Sequence, residues 1–362
     1  MLHSVSSSAP SHIFIVRHGA RLDMADPQWH LTSPTPYDPP LTYGGWTQSR
    51  LVGFRIASLL ASSGQATAPK NMRIVIHSSP FLRCIQTSVS IAAGIAQQQS
   101  ENFVKPLMRL DSWLGEWLSE DYYLDICPPP APSIMISNAK ADYIRPSSAS
   151  SIPSQSPSPP PSPYNNKQIP TGHVSHGKTF VEFDIGWSAS NLPAAEMEHE
   201  YPEEWPSMHK RFKNGWKHLS AYYSSGNPAV TNFPITWKRP TQQLPPPANG
   251  EREESSGDEL STVVILVTHG AGCNALIGAI THKPVLMDIP ISSTTMAVRR
   301  PDGSYDVKFT EPISVPQEMV RRGNLWGGGL EQEDDAVDTL DTSRHRGLWS
   351  TAVGWERKRR WT

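Results

Sequence analysis

The apolar residues of this chain gather in short runs, most of them bounded by glycine, proline or charged residues. Ile13-Phe14-Ile15-Val16, Ile74-Val75-Ile76 and Val263-Val264-Ile265-Leu266-Val267 are unbroken and rich in β-branched residues, the pattern of strands buried on both faces. Phe103 to Leu110 reads as a fourth strand. Other apolar positions recur with a helical period: Val52, Ile56, Leu59 and Leu60; Leu82, Ile85, Val89, Ala92 and Ala96; Met208, Phe212, Trp216, Leu219 and Tyr223; Ala275, Leu276, Ala279 and Ile280. Each set predicts a helix with one buried face. Near the end, Ser293–Arg299 and Tyr305–Phe309 flank Pro301-Asp302-Gly303, a turn sequence, and predict a closing hairpin. Strands and helices in this order predict an α/β sheet.

Elsewhere the pattern fails. From about residue 128 to 171 the chain is rich in proline and serine, with Ser156-Pro157-Ser158-Pro159-Pro160-Pro161-Ser162-Pro163 its extreme, and such a segment cannot bury enough apolar surface to offset chain entropy. A second polar insertion spans about 224–260, residues 1–10 read as a flexible N-terminus, and 312–362 as a tail. That tail holds acidic Glu331 to Asp335 and basic Arg357-Lys358-Arg359-Arg360, the latter either a nuclear localisation signal or a solvated C-terminus. One domain over 11–311, interrupted by two disordered insertions, is therefore expected. The 35 prolines and a hydrophobic content of only 37% agree with it.

Charge and cysteine content narrow the function. A net charge of -2 argues against a general nucleic-acid surface, so no direct nucleic-acid binding is expected and anion binding must be local. No apolar run approaches the ~20 residues that span a bilayer, and the N-terminus lacks a basic start with an apolar core. Cys84, Cys127 and Cys273 are odd in number, scattered and without metal-ligand spacing. Reduced thiols in a cytoplasmic or nuclear protein without a membrane anchor are expected, with no metal site.

The chemistry lies at strand ends. The first strand stops in Arg17-His18-Gly19-Ala20-Arg21, the late strand in Thr268-His269-Gly270, and Ser79-Pro80-Phe81-Leu82-Arg83-Cys84-Ile85-Gln86-Thr87 leads from a third into a helix. In a parallel α/β sheet, ligands bind at the C-terminal ends of strands, where helix N–H groups face an anion. Pro80 suits a first helical turn, placing Arg83 beside that edge. Glu116 stands between Trp113-Leu114 and Trp117, where desolvation is expected to raise its pKa. Asp111, Glu120 and Asp121 are its rivals. Pro40-Leu41-Thr42-x-x-Gly45-x-x-Gln48 is read as a helix start and packing segment.

Taken in order, Arg-His-Gly, Ser-Pro-x-x-Arg-x-x-x-Thr, a carboxylic acid and a second His-Gly resemble the histidine phosphatase superfamily, which includes the phosphoglycerate mutases. The resemblance covers about 11–127 and 171–311. It implies a three-layer α/β/α sandwich with a mostly parallel central sheet, phosphoglycerate mutase-like. It also implies a phosphomonoester hydrolase without metal or other cofactor. His18 would attack phosphorus and carry a phosphohistidine, Glu116 would protonate the leaving oxygen and then activate water, and His269 would donate to the phosphoryl group. Arg17 and Arg83 would clamp the phosphoryl oxygens bidentately. Arg21 would be a third phosphate ligand, or else a salt bridge within its loop.

Arg21 and the Glu116-Trp117 pair are similar to the branch of suppressor-of-T-cell-receptor-signalling phosphatases. His269-Gly270, where secreted acid phosphatases have His-Asp, sets those aside, and Ala20 departs from the Glu or Gln of the mutases. The substrate is expected to be a phosphorylated small molecule or phosphopeptide, selected by loops at Asp23 to Pro40 and from Asp121 onward. Phe81-x-Arg83-Cys84, Gly115-Glu116-Trp117 and Val267-Thr268-His269 also resemble the histidine-phosphatase-like subunit of the RNA polymerase III initiation factor. That second resemblance implies a weakly catalytic or non-catalytic assembly subunit with transcription-complex partners.

Overall fold

In the computed structural model the described residues are 9–26, 28–62, 71–98, 104–144, 177–187, 200–225, 236–238 and 260–309. Their centre is a sheet of β1 (His12–Arg17), β2 (Asn71–Ser78), β3 (Leu107–Leu110), β4 (Glu182–Phe183), β5 (Trp237–Lys238), β6 (Leu260–Thr268), β7 (Thr294–Arg299) and β8 (Tyr305–Phe309). The spatial order is β4-β3-β2-β6-β1-β7-β8, with β5 pairing beside it on β2. From β4 to β1 all neighbours run parallel, while β7 and β8 close the far edge antiparallel. The continuous apolar runs are thus explained: Ile13, Phe14, Ile15 and Val16 are each at most 1% exposed because helices cover both faces of the sheet.

One face carries α1 (Tyr43–Ser62) and α2 (Leu82–Ala96). Val52, Ile56 and Leu60 of α1 and Ile85, Val89 and Ile95 of α2 join Phe14, Val16, Ile74, Ile76 and Ile265 in one buried cluster. On the other side are α4 (Trp205–Ser224) and α5 (Gly270–Thr281), whose inward residues include Met208, Phe212, Leu219, Leu276 and Ile277. The three-layer α/β/α arrangement is as expected. Between them in sequence lies α3 (Pro132–Ile144).

Where α1 crosses α2 the backbones touch. A Cβ on Gly53 would lie 2.0 Å from the Ile91 carbonyl oxygen, and one on Gly94 would lie 2.0 Å from that of Arg50. The start of α1 is fixed by Thr42, whose hydroxyl accepts the Gly45 N–H at 2.9 Å, an N-cap bond that matches the expected role of this segment.

Three expectations need correction. Phe103 lies outside the described residues, and the strand expected from it begins at Leu107; Pro106, just before it, has no N–H to donate, and its carbonyl accepts the Glu182 N–H of β4 at 2.9 Å. The Pro/Ser-rich stretch expected to be disordered from 128 contains α3, which tucks Met135 into the core and packs Ile136, Ala139 and Tyr143 against it. Its prolines crowd the entrance to the helix, where a missing N–H costs nothing, and not its interior. Within the second insertion, Thr236 is buried and its hydroxyl accepts the Ile74 N–H at 2.6 Å, anchoring β5. Residues 1–8, 145–171, 226–235, 239–259 and the tail lie outside the described residues. Among those described, no helix is long and apolar enough to cross a membrane.

The helix crossing is testable. Gly53→Ala should lower the free energy of unfolding by roughly 2–3 kcal/mol through overpacking, measured by urea denaturation. Gly44→Ala, whose Cβ would meet only the Thr42 hydroxyl at 3.7 Å, should stay within about 1 kcal/mol of the parent. Equal effects would contradict the backbone contact.

Candidate active site

Strand register assembles the site. β1 pairs Arg17 with Thr268 of β6, β6 pairs Val267 with Ser78 of β2, and β2 pairs Ser78 with Leu110 of β3. The next residues along these strands therefore emerge at one edge: His18, His269, Ser79 and Asp111. Backbone bonds extend the ladder one step further, from His18 N to Thr268 O, Ser79 N to Val267 O and Asp111 N to Ser78 O, each 3.0 Å.

His18 is 2% exposed, and its Nδ1 lies 2.8 Å from the carbonyl oxygen of Gly19. A carbonyl only accepts, so Nδ1 carries the proton and Nε2 keeps its lone pair. Burial lowers the His18 pKa well below 6.5, and the charges of Arg83, His269 and Arg17 push the same way. The ring is neutral at pH 7, in the tautomer that leaves Nε2 unprotonated. Gly19 is required by space: its Cβ would lie 2.6 Å from the Gly45 carbonyl oxygen. The loop is also tied to α2, since Thr87 Oγ1 accepts the Gly19 N–H at 3.0 Å and donates to the Arg83 carbonyl at 2.8 Å.

His269 is fully buried at the start of α5, with its ring centroid 5.3 Å from that of His18. Its Nε2 lies 2.9 Å from Ser79 Oγ and its Nδ1 3.0 Å from Glu116 Oε2. Burial lowers its pKa to about 4 although Glu116 opposes the shift. Arg83 is also fully buried, 3.3 Å from Glu116 Oε2 and 3.5 Å from Asp38 Oδ1, with the Phe81 ring beneath it. Burial works against its charge, yet Glu116, Tyr122 and Asp38 hold its pKa above the usual value.

The expectation for Glu116 is reversed. Burial does push its pKa up, but His269, Arg83 and His18 together bring it well below 4.5. The permanent charge of Arg83 carries this shift, and the neutral His269 adds a polar contact. Trp117, adjacent in sequence, donates its backbone N–H to Glu116 Oε1 at 3.1 Å, a contact that favours the ionised form. Glu116 is therefore a carboxylate in the resting protein.

Arg17, His18, Arg83, Glu116 and His269 are thus brought together. Arg17 donates to the Ile289 carbonyl, and Glu116 is among the charges that act on it. Arg21 stands at the rim, paired with Asp23 at 2.9 Å and donating to the Tyr122 hydroxyl at 2.8 Å. Of the rival acids, Asp111 is buried on His77 at 2.6 Å and on the Trp187 indole N–H at 3.0 Å, and Glu120 and Asp121 lie in the exposed start of a 3-10 turn. His77 is held by Asp111 at 2.6 Å and by the Tyr223 hydroxyl at 2.8 Å. Cys84 and Cys273 are buried, and desolvation pushes the Cys273 thiol up to about 12 and that of Cys84 higher still, so neither is activated.

Asp38 and Tyr122 belong to the site without having been given a role in it, as does the Ser79 hydroxyl of the Ser-Pro motif. Asp38 accepts the Leu82 N–H at 2.9 Å; burial raises its pKa to about 6, against the pull of Arg83 and that N–H. The two expected overhanging loops do meet here: Tyr37 and Tyr122 pack on a cluster of Phe81, Leu118, Tyr123 and Met135.

His18, Glu116 and His269 present donor atoms within 4.8 Å of one another, enough to surround a cation. The same Oε2 of Glu116 already faces the Arg83 guanidinium. With Arg17 and Arg21 close by, the local charge favours a tetrahedral anion over a divalent cation.

No family model matches the chain, and no curated protein matches it in sequence. Solved structures similar to it include an ecdysone phosphate phosphatase from Bombix mori in complex with tungstate, at 15% identity and a TM-score of 0.44, covering 90% of this chain and 97% of that one. A phosphoserine phosphatase from Entamoeba histolytica follows at 14% identity and 0.35, covering 83% and 96%. A phosphoglycerate mutase from Bacillus anthracis is similar at 13% and 0.36, covering 85% and 95%. The functional reading therefore rests on the site's own residues.

Nitrogen-resolved NMR should find His18 neutral at pH 6, protonated on Nδ1 and bare on Nε2. An imidazolium at that pH would contradict the burial. In the same native protein, iodoacetamide should alkylate exposed Cys127 and spare Cys84 and Cys273.

Proposed function

We propose that the chain hydrolyses phosphate monoesters through a phosphohistidine on His18, without a metal or organic cofactor. The observation that carries this reading is a neutral histidine with a free Nε2, set at a strand end near the buried guanidinium of Arg83 and the half-buried one of Arg17. A phosphoryl group placed there meets the forks of Arg17 and Arg83, with Arg21 at the rim. His18 Nε2 attacks phosphorus as the ester P–O bond breaks. The departing oxygen takes a proton from Glu116. Glu116 then takes a proton from water, whose oxygen attacks phosphorus, and the N–P bond breaks to release phosphate and restore the Nε2 lone pair.

Glu116 begins ionised, so its proton must come with the substrate. A phosphate that takes over the Arg83 fork withdraws the charge that keeps Glu116 ionised and sets negative charge beside it, and both changes raise its pKa. The same charge raises the pKa of His269, giving Nε2 the proton with which to donate to a phosphoryl oxygen. The complex of enzyme and ester thus needs two added protons, one on Glu116 and one on His269, of which the phosphate, whose second pKa is about 6, can bring one. On this basis kcat/KM falls as pH rises above about 6. It falls again at acid pH where His18, whose pKa is well below 6.5, becomes charged.

Hydrolysis of an aryl phosphate should be lost by at least about a thousandfold in His18→Ala. Acid-labile, base-stable radiolabel should be trapped on the parent protein and not on the variant. A folded parent that turns over no ester and traps no label would sink the reading. Isolation of stable partners would then test the assembly-subunit alternative.

A further inference from the structure

The loop that carries Glu116 has no regular partner strand, yet its carbonyls are all engaged. Arg211, from the second turn of α4, donates Nη1 to the carbonyl oxygens of Trp113 at 2.7 Å and Gly115 at 3.2 Å, and Nη2 to that of Glu116 at 3.4 Å. Thr268, the residue before His269, donates to the Leu114 carbonyl at 2.7 Å. Four consecutive carbonyls, 113 to 116, are thus held by two side chains from the opposite side of the sequence. The guanidinium is 3% exposed and its remaining donors form a fork on Glu203, Nε to Oε1 at 2.8 Å and Nη2 to Oε2 at 2.7 Å. Glu203 in turn ties the far side of the loop: its N–H donates to the Leu118 carbonyl at 2.7 Å, and its own carbonyl accepts the Trp117 indole N–H at 2.8 Å.

The helix is built to come this close. A Cβ on Gly215, one turn beyond Arg211, would lie 2.2 Å from the Trp113 ring. The donors of Arg211 are spent on the loop carbonyls and on Glu203, so their part is indirect. A lysine would not serve: one ammonium cannot reach three carbonyls and a carboxylate in one plane.

We infer that Arg211, locked by Glu203, is a positioning residue that sets the carboxyl of Glu116 against Arg83, His269 and the leaving oxygen. The inference rests on the phosphatase reading of Glu116. A proton donor matters most when the leaving group is a poor one, because an acidic phenol departs without protonation whereas an alcohol does not. Displacing Glu116 therefore costs alkyl esters more than activated aryl esters. Loss of Arg17 or Arg83 would weaken both alike.

Two variants guard against misfolding: Arg211→Lys, which keeps the charge, and the pair Arg211→Met with Glu203→Leu, which removes both buried charges together. In each, with fold verified by circular dichroism, kcat/KM for an alkyl phosphate should fall about a hundredfold. For 4-nitrophenyl phosphate it should fall less than about threefold. An equal loss on both esters, or no loss on either, overturns the assignment. A second readout needs no turnover: the His269 ring resonances should move in these variants in the same direction as in Glu116→Gln, since Glu116 lies 3.0 Å from Nδ1. Unmoved His269 resonances overturn the clamp as well. If the parent protein hydrolyses neither ester, the phosphatase reading fails, and the His269 signal still decides whether Arg211 places Glu116.

Discussion

A guanidinium out of reach of water must be balanced within the protein, and Arg83 is fully buried. Its partners come from two distant segments, Asp38 in the loop before α1 and Glu116 beyond β3. Removing one partner of such a group typically costs about 3–5 kcal/mol, so the three segments are held as a unit. Asp38 also accepts the first N–H of α2, that of Leu82, which fixes the loop over the helix that bears Arg83. The geometry of the site follows from neutralising this one charge.

The same charges set the protonation states. His18 and His269 are kept neutral by burial and by neighbouring cations, while Glu116 is kept ionised by Arg83. Glu116 is a stand-in anion for the guanidinium in the absence of substrate. On the proposed function, a phosphoryl group taking its place would change the protonation of Glu116 by the act of binding, coupling substrate recognition to the supply of the proton that departure of the alcohol requires. Rigidity of the loop behind Glu116 is what lets the carboxyl exchange partners without leaving its position, and the carbonyl clamp of Arg211 and Thr268 provides it.

Much of this was legible along the chain. Strand ends bearing Arg17-His18 and His269 were visible because a run of β-branched residues stops at a polar cluster, and Arg83 because a proline four residues after a strand's last apolar position starts a helix there. Thr87, the last residue of that motif, has a structural task, joining the Gly19 amide to the first turn of α2. The pKa of Glu116 was misread for a plain reason. Trp117 and Leu114 are neighbours in sequence, but the carboxylate oxygen faces His269 and Arg83, which lie far away in it. Asp38 and Arg211 carry no local mark at all. In the proline-rich stretch, α3 was hidden because prolines before a helix and prolines that prevent one look alike in composition.

The sequence by itself determined the alternation of buried strands with amphipathic helices, and with it which side chains stand at strand ends. Those properties depend on residues a few positions apart, through the two-residue period of a strand and the 3.6-residue period of a helix. Only the tertiary structure decided that β6 inserts between β2 and β1, and hence that His18, Ser79 and His269 share one edge. It alone decided which carboxylates face Arg83 and which charge state each titrating group adopts. Those outcomes depend on distances between residues far apart in the chain, because charge interactions and desolvation act through space.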